Sequence, residues 1–180
     1  MLDGQDPEVV ARLIEFDESL RATSRRAASI VPEHLRVRRQ DLLQWADAGA
    51  GYDIPGLLRR LIVETCDGLE SVHFPAGVGA ASGGFDGIVT AAIDNVFVPE
   101  GHSAWELSAS KSSQKKAEDD YAKRIAGPDG LPTSEVTFVE VICRPWTKAR
   151  SFAASKREEG RWKEVRAYNV EDLEAWFEHA

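Results

Sequence analysis

"HSAWELSASKSSQKK", residues 102–116, is the stretch that decides the fold. Its first nine residues, through Ser110, read as a strand, and along a strand alternate side chains share a face. Small residues and Lys111 then lead into a helix over 112–125, with Ala117, Tyr121 and Ile125 on one stripe. Upstream, "FDGIVTAAI" (85–93) reads as another strand, joined to the first through "DNVFVPEG", which has turn chemistry at both ends. "LESVHFP" (69–75) alternates Val72 and Phe74 inward, and "GVGAASGG" (77–84) is a flexible loop. Downstream, "PDGLP" breaks the chain, and "EVTFVEVIC" (135–143) is apolar on both faces, as expected of a central strand covered on two sides. A helix over 147–159 stops at Gly160, "KEVRAYN" makes a last strand, and Asn169 caps a helix over 170–179. Three helices come first: 7–29 behind Asp6-Pro7, 39–48, and one opened by Asp53-Ile54-Pro55 and closed by Gly68. The order α-α-α-β-β-β-α-β-α-β-α predicts an α/β fold, with a mixed central sheet flanked by helices.

The 180 residues suffice for one domain with a real core, and no apolar run reaches the roughly 18–20 residues that span a bilayer. The N-terminus "MLDGQDPEVV" has no basic-then-apolar segment, so it is not read as a signal peptide. Cys66 and Cys143 sit in apolar runs without ligand spacing, which predicts two buried, reduced thiols and a cytoplasmic protein. Net charge is −8, unfavourable on its face for a nucleic-acid partner. Its distribution is uneven: of 22 Lys+Arg and 30 Asp+Glu, residues 101–166 hold 13 and 10, leaving 9 and 20 elsewhere. Positive charge therefore gathers in and after the opening stretch.

The glycine loop lacks the third glycine of a dinucleotide fingerprint and the Lys-Ser/Thr ending of a P-loop. It also precedes a strand instead of opening a helix, the wrong context for capturing phosphate. The four histidines are scattered, and no nucleophile-His-Asp set stands out. The acids are more informative. Asp86 begins one strand and Glu106 lies in the middle of the next, so pairing of the two strands sets both carboxylates on one face. Close carboxylates raise each other's proton affinity unless a cation lies between them, and hard divalent ions take such oxygens. Glu64, on an otherwise apolar helix, offers a third carboxylate. The same-face position two after Glu106 is Ser108, so the nearest lysine able to reach back toward the acids is Lys111. The alternative is that strand acids near sheet ends are ordinary solvated residues.

In this order, "GLLRRLIVET", "HFPAG", "GGFDGIV", "FVPEGHSAWELSASK", "KKAEDDYAKR" and "EEGRWKEVRAYNVEDLEAWF" resemble the PD-(D/E)XK, restriction-endonuclease-like superfamily. More narrowly, they resemble the nuclease module at the N-terminus of bacterial NTPase-type anti-phage defence proteins. The resemblance covers about residues 40–178 and implies an αβββαβ core over 37–180, with residues 1–36 as a helical extension. It implies Mg²⁺- or Mn²⁺-dependent cleavage of double-stranded DNA, in a homo-oligomer or a larger defence protein. Asp86 and Glu106 would be the metal acids, Lys111 the displaced lysine and Glu64 the helical glutamate. Lys115, Lys116, Lys123 and Arg124 would meet backbone phosphates. Ser108 at the usual lysine position leaves a second reading, a nuclease-fold module that binds nucleic acid or mediates assembly without cutting.

Overall fold

The structure, a computed structural model, describes residues 36–49, 53–75 and 84–180. The helix expected over 7–29 and most of the glycine loop lie outside the described residues. One compact unit runs from Val37 to Ala180. Its elements are α1 (Arg39–Asp47), α2 (Ile54–Thr65), β1 (Leu69–His73), β2 (Gly87–Ala91), β3 (Gly101–Ser108), α3 (Ser113–Ala126), β4 (Thr137–Ile142), α4 (Ala149–Glu158), β5 (Glu164–Tyr168) and α5 (Val170–Phe177). A short 3₁₀ turn, Thr133–Glu135, precedes β4 and was not expected from the sequence.

The five strands form one mixed sheet in chain order, with β1-β2-β3 antiparallel and β3-β4-β5 parallel. Chain order follows from the connections. The β2–β3 link is a turn, which suits antiparallel neighbours, whereas α3 and α4 supply the crossovers that parallel pairs require. Fold class and element order thus agree with the α/β mixed sheet expected. Cys66 and Cys143 are buried and free. No helix among the described residues is long and apolar enough to cross a membrane.

Two cores sandwich the sheet. Val89, Trp105, Val139 and Val141 face α1, α2 and α5, where Leu58, Ile62, Leu173 and Trp176 are fully buried or nearly so. Phe97 stacks on Trp176 at 4.8 Å between ring centroids, and Trp176 donates from Nε1 to Thr65 Oγ1 at 2.8 Å. On the other face, Ala104, Phe138 and Ile142 pack beneath Ala117 and Tyr121 of α3 and Phe152 of α4. β4 is buried along its whole length, as its double-sided apolarity predicted. Asn169 caps α5, its Oδ1 accepting from the amides of Glu171 and Asp172 at 2.9 and 3.0 Å. Gly160 ends α4 at φ 62°, in the left-handed region that glycine enters without strain.

Gly87 follows Asp86 and faces the first core. A β-carbon built there meets the Phe74 ring at 2.1 Å, so the ring fills the space a side chain would take. Gly87→Ala is therefore expected to destabilise the domain by about 1–3 kcal/mol. Gly56→Ala, in α2 with nothing within 4 Å, is expected to be neutral or stabilising by about 0.5–1 kcal/mol. Chemical denaturation of both variants measures the contrast.

Candidate functional site

β2 and β3 pair with Gly87 opposite Trp105, so continuing the ladder by one residue sets Asp86 opposite Glu106. β3 and β4 pair with Glu106 beside Glu140. Side-chain alternation sends all three to the face covered by α3, because Trp105 and Val139 point to the other core. Asp86, Glu106 and Glu140 thus form a row across three adjacent strands. Asp86 is fixed by its Oδ2, which accepts from the Leu107 amide at 2.8 Å.

Over the row lies one stripe of α3: Lys116, Asp120 and Arg124, spaced by four residues so that all three face the sheet. Lys116 Nζ donates to both oxygens of Asp120 at 2.5 Å and keeps 37 % of its side chain exposed. Arg124, 2 % exposed, donates from Nε to Glu106 Oε1 and from Nη2 to the Gly84 carbonyl. The row is partly open at Asp86 and closed at Glu140, which is wholly buried.

The charges do not balance. Five carboxyls (Asp86, Glu106, Asp120, Glu140 and Asp129, which Arg124 also holds) share two cations (Lys116, Arg124), so negative charge is in excess when all are ionised. Burial first, then the Asp86 charge, pushes the Glu106 carboxyl up to about 7, against the lowering effect of Arg124. Burial also holds Glu140 well above the usual carboxylate range, reinforced by the charges of Asp120 and Glu106 and only partly offset by Lys116. Neither Glu140 oxygen has a hydrogen-bond partner. Burial alone would lower the Lys116 ammonium, but the Asp120 hydrogen bond and the negative charges of Asp120, Glu140 and Glu106 raise it, so it stays charged.

The other sequence candidates lie elsewhere. Lys111 is exposed and pairs with Asp47 at 3.0 Å, at the end of α1 on the opposite face of the sheet. Arg144 shares that aspartate at 2.8 Å, and together the two cations hold Asp47 below the usual carboxylate range. Glu64 is exposed, beside Thr65, whose carbonyl accepts from Asn95 beyond the far end of β2 from Asp86. The Ser108 hydroxyl accepts from the Ser110 amide at 3.0 Å and shapes the exit from β3. Lys115 is exposed and paired with Asp119 at 2.6 Å, and Lys123 is exposed. Lys116 and Arg124, read in the sequence as phosphate contacts, instead turn inward to the carboxylates, and burial removes Arg124 from the surface. Glu140 was missed; its signal was a lone acid in an otherwise apolar central strand.

The donor set suits a hard cation, since every candidate ligand is a carboxylate oxygen and one buried carboxylate has no partner. As the side chains stand, no group of three or more His, Cys, Asp or Glu among the described residues closes around one point at ligand distance. The chain matches no family model, no curated protein and no solved structure.

A carboxyl that holds its proton more tightly folded than unfolded contributes stability below its ordinary value of 4.5, and that contribution is lost as pH rises through the folded value. Glu140→Gln cannot ionise, so it escapes this loss. In metal-free buffer the variant is expected to match wild type near pH 4.5 and to exceed it at pH 8 by on the order of 1 kcal/mol or more. Thermal melts across that range measure the divergence.

Proposed function

We propose that the chain is a metal-dependent endonuclease that cleaves DNA phosphodiester bonds, with the carboxylate row as its active centre. The carrying observation is the row of three carboxyls on adjacent strands, Asp86, Glu106 and Glu140, in which both Glu140 oxygens are buried without a hydrogen-bond partner. Asp86 and Glu106 would hold Mg²⁺ or Mn²⁺, with Glu140 supplying negative charge from behind. Such an ion lowers the pKa of a bound water and stabilises charge on phosphoryl oxygens. Lys116, which stays partly exposed, takes the part that sequence spacing gave to Lys111: its ammonium neutralises developing charge at the phosphate. The site lies toward the carboxyl ends of β3 and β4, where open α/β sheets commonly bind ligands. Lys115 and Lys123 on the outer side of α3 are suited to backbone phosphates, which makes affinity salt-dependent. Following the resemblance, the activity belongs to an effector module of a defence protein acting on double-stranded DNA.

A second reading, a non-catalytic module for nucleic-acid binding or assembly, is favoured by the Arg124–Glu106 pair, which already satisfies one acid, and by Ser108 at the usual lysine position. The two readings separate in a plasmid-nicking assay with Mg²⁺ or Mn²⁺. Asp86→Asn and Glu106→Gln are expected to abolish nicking, Lys116→Met to slow it about 10²–10³-fold, and Lys111→Ala to leave it within about twofold. Equal nicking by wild type and Asp86→Asn contradicts the endonuclease reading. Loss with Lys111→Ala but not with Lys116→Met returns the lysine role to Lys111.

A further inference from the structure

Arg124 is held on several sides at once. Besides Glu106 and the Gly84 carbonyl, its Nη1 donates to Asp129 Oδ2 at 3.0 Å, and its guanidinium lies 4.3 Å from the centroid of the Phe85 ring. Its two carboxylate partners differ in kind. The Glu106 side chain is 4 % exposed, whereas that of Asp129 is 48 % exposed.

Asp129 is presented by a tight turn from Pro128 to Leu131, closed by the Leu131 amide donating to the Pro128 carbonyl at 3.0 Å. Both central residues have positive φ, 51° at Asp129 and 80° at Gly130. Asp-Gly is the pair such a turn favours, because aspartate is among the few residues other than glycine that enter this conformation readily. Asp129 is the one described residue other than glycine that adopts it. The turn therefore fixes an acid against an arginine whose other acid is a candidate metal ligand.

We propose that Arg124 is a built-in counter-cation that occupies Glu106 in the metal-free protein and is retained by Asp129 alone among its carboxylate partners when a divalent ion takes Glu106. This inference rests on the metal-site reading given above. A guanidinium stays charged at any working pH. Bonded to Glu106 Oε1, it repels a second cation approaching the same carboxylate. Breaking a buried ion pair normally strands a charge at large cost. Here Asp129, the Gly84 carbonyl and the Phe85 face already hold the arginine and keep it paired once Glu106 is withdrawn. Because Gly84 and Phe85 immediately precede Asp86, the same guanidinium keeps its hold on the entry to β2 in either pairing. By linkage, whatever strengthens Arg124 on Glu106 weakens the ion there by the same factor.

The two halves of the pairing make opposite predictions, read by calorimetric titration of Mn²⁺ alone into the full chain. Arg124→Gln removes the competing cation and is expected to tighten Mn²⁺ binding about tenfold or more, whereas Asp129→Asn removes the carboxylate that would keep Arg124 paired without Glu106 and is expected to weaken it about threefold or more. Asp129 is half exposed, so its variant tests the proposal even if Arg124→Gln fails to fold. Unchanged or weaker binding in Arg124→Gln, or unchanged binding in Asp129→Asn, overturns the exchange while leaving the metal site standing. Absence of Mn²⁺ binding up to millimolar concentration in wild type and both variants overturns the metal site and the exchange together.

Discussion

The pairing register of β2, β3 and β4 is the constraint on which the rest depends. It lines up Asp86, Glu106 and Glu140 on one face and commits Trp105, Val89 and Val139 to the other. A slip of one residue in β3 would reverse both assignments, driving Trp105 under α3 and Glu106 into an apolar core. The large aromatic cluster around Trp105 and Trp176 therefore secures the acidic row as well as the core. Ser103 contributes on the Trp105 side, its hydroxyl accepting from Trp105 Nε1 at 2.9 Å and so satisfying a buried donor in that core.

Carboxylates withdrawn from water carry a penalty of several kcal/mol each unless charge and hydrogen bonds offset it. α3 offsets part of it. Lys116, Asp120 and Arg124 recur at a spacing that keeps one stripe over the row, while Ala117 and Tyr121 on the adjoining stripe pack into the second core. The remaining deficit falls on Glu106 and Glu140, whose carboxyls are held above the ordinary range. A fold selected only for stability would gain by replacing Glu140 with an apolar residue of similar size. Its burial without a partner is the feature that most directly calls for a cation.

The sheet, its flanking helices and the cap of α5 were legible because they rest on local signals: period-2 alternation, a double-sided apolar strand, Asn169 and Gly160. The Asp86–Glu106 row was legible too, since two strands joined by a turn have few ways to pair. The cationic side was not. Lys111 looked closest to Glu106 in sequence, but the chain turns at Ser108–Ser110 and sends that lysine to Asp47 on the other face. Lys116 and Arg124 looked like surface charges because polarity alone does not reveal which stripe of a polar helix faces the sheet. Glu140 passed as part of an apolar strand, since its importance comes from a parallel pairing more than thirty residues away in sequence.

The central claim is that the row completes its charge with a divalent ion. Crystals of the chain grown in Mn²⁺ and measured at the manganese absorption edge test it most directly. The account predicts an anomalous peak within ligand distance of Asp86 and Glu106, with Glu140 adjacent. A peak confined to surface acids, or none at millimolar Mn²⁺ with Arg124 still on Glu106, would contradict it.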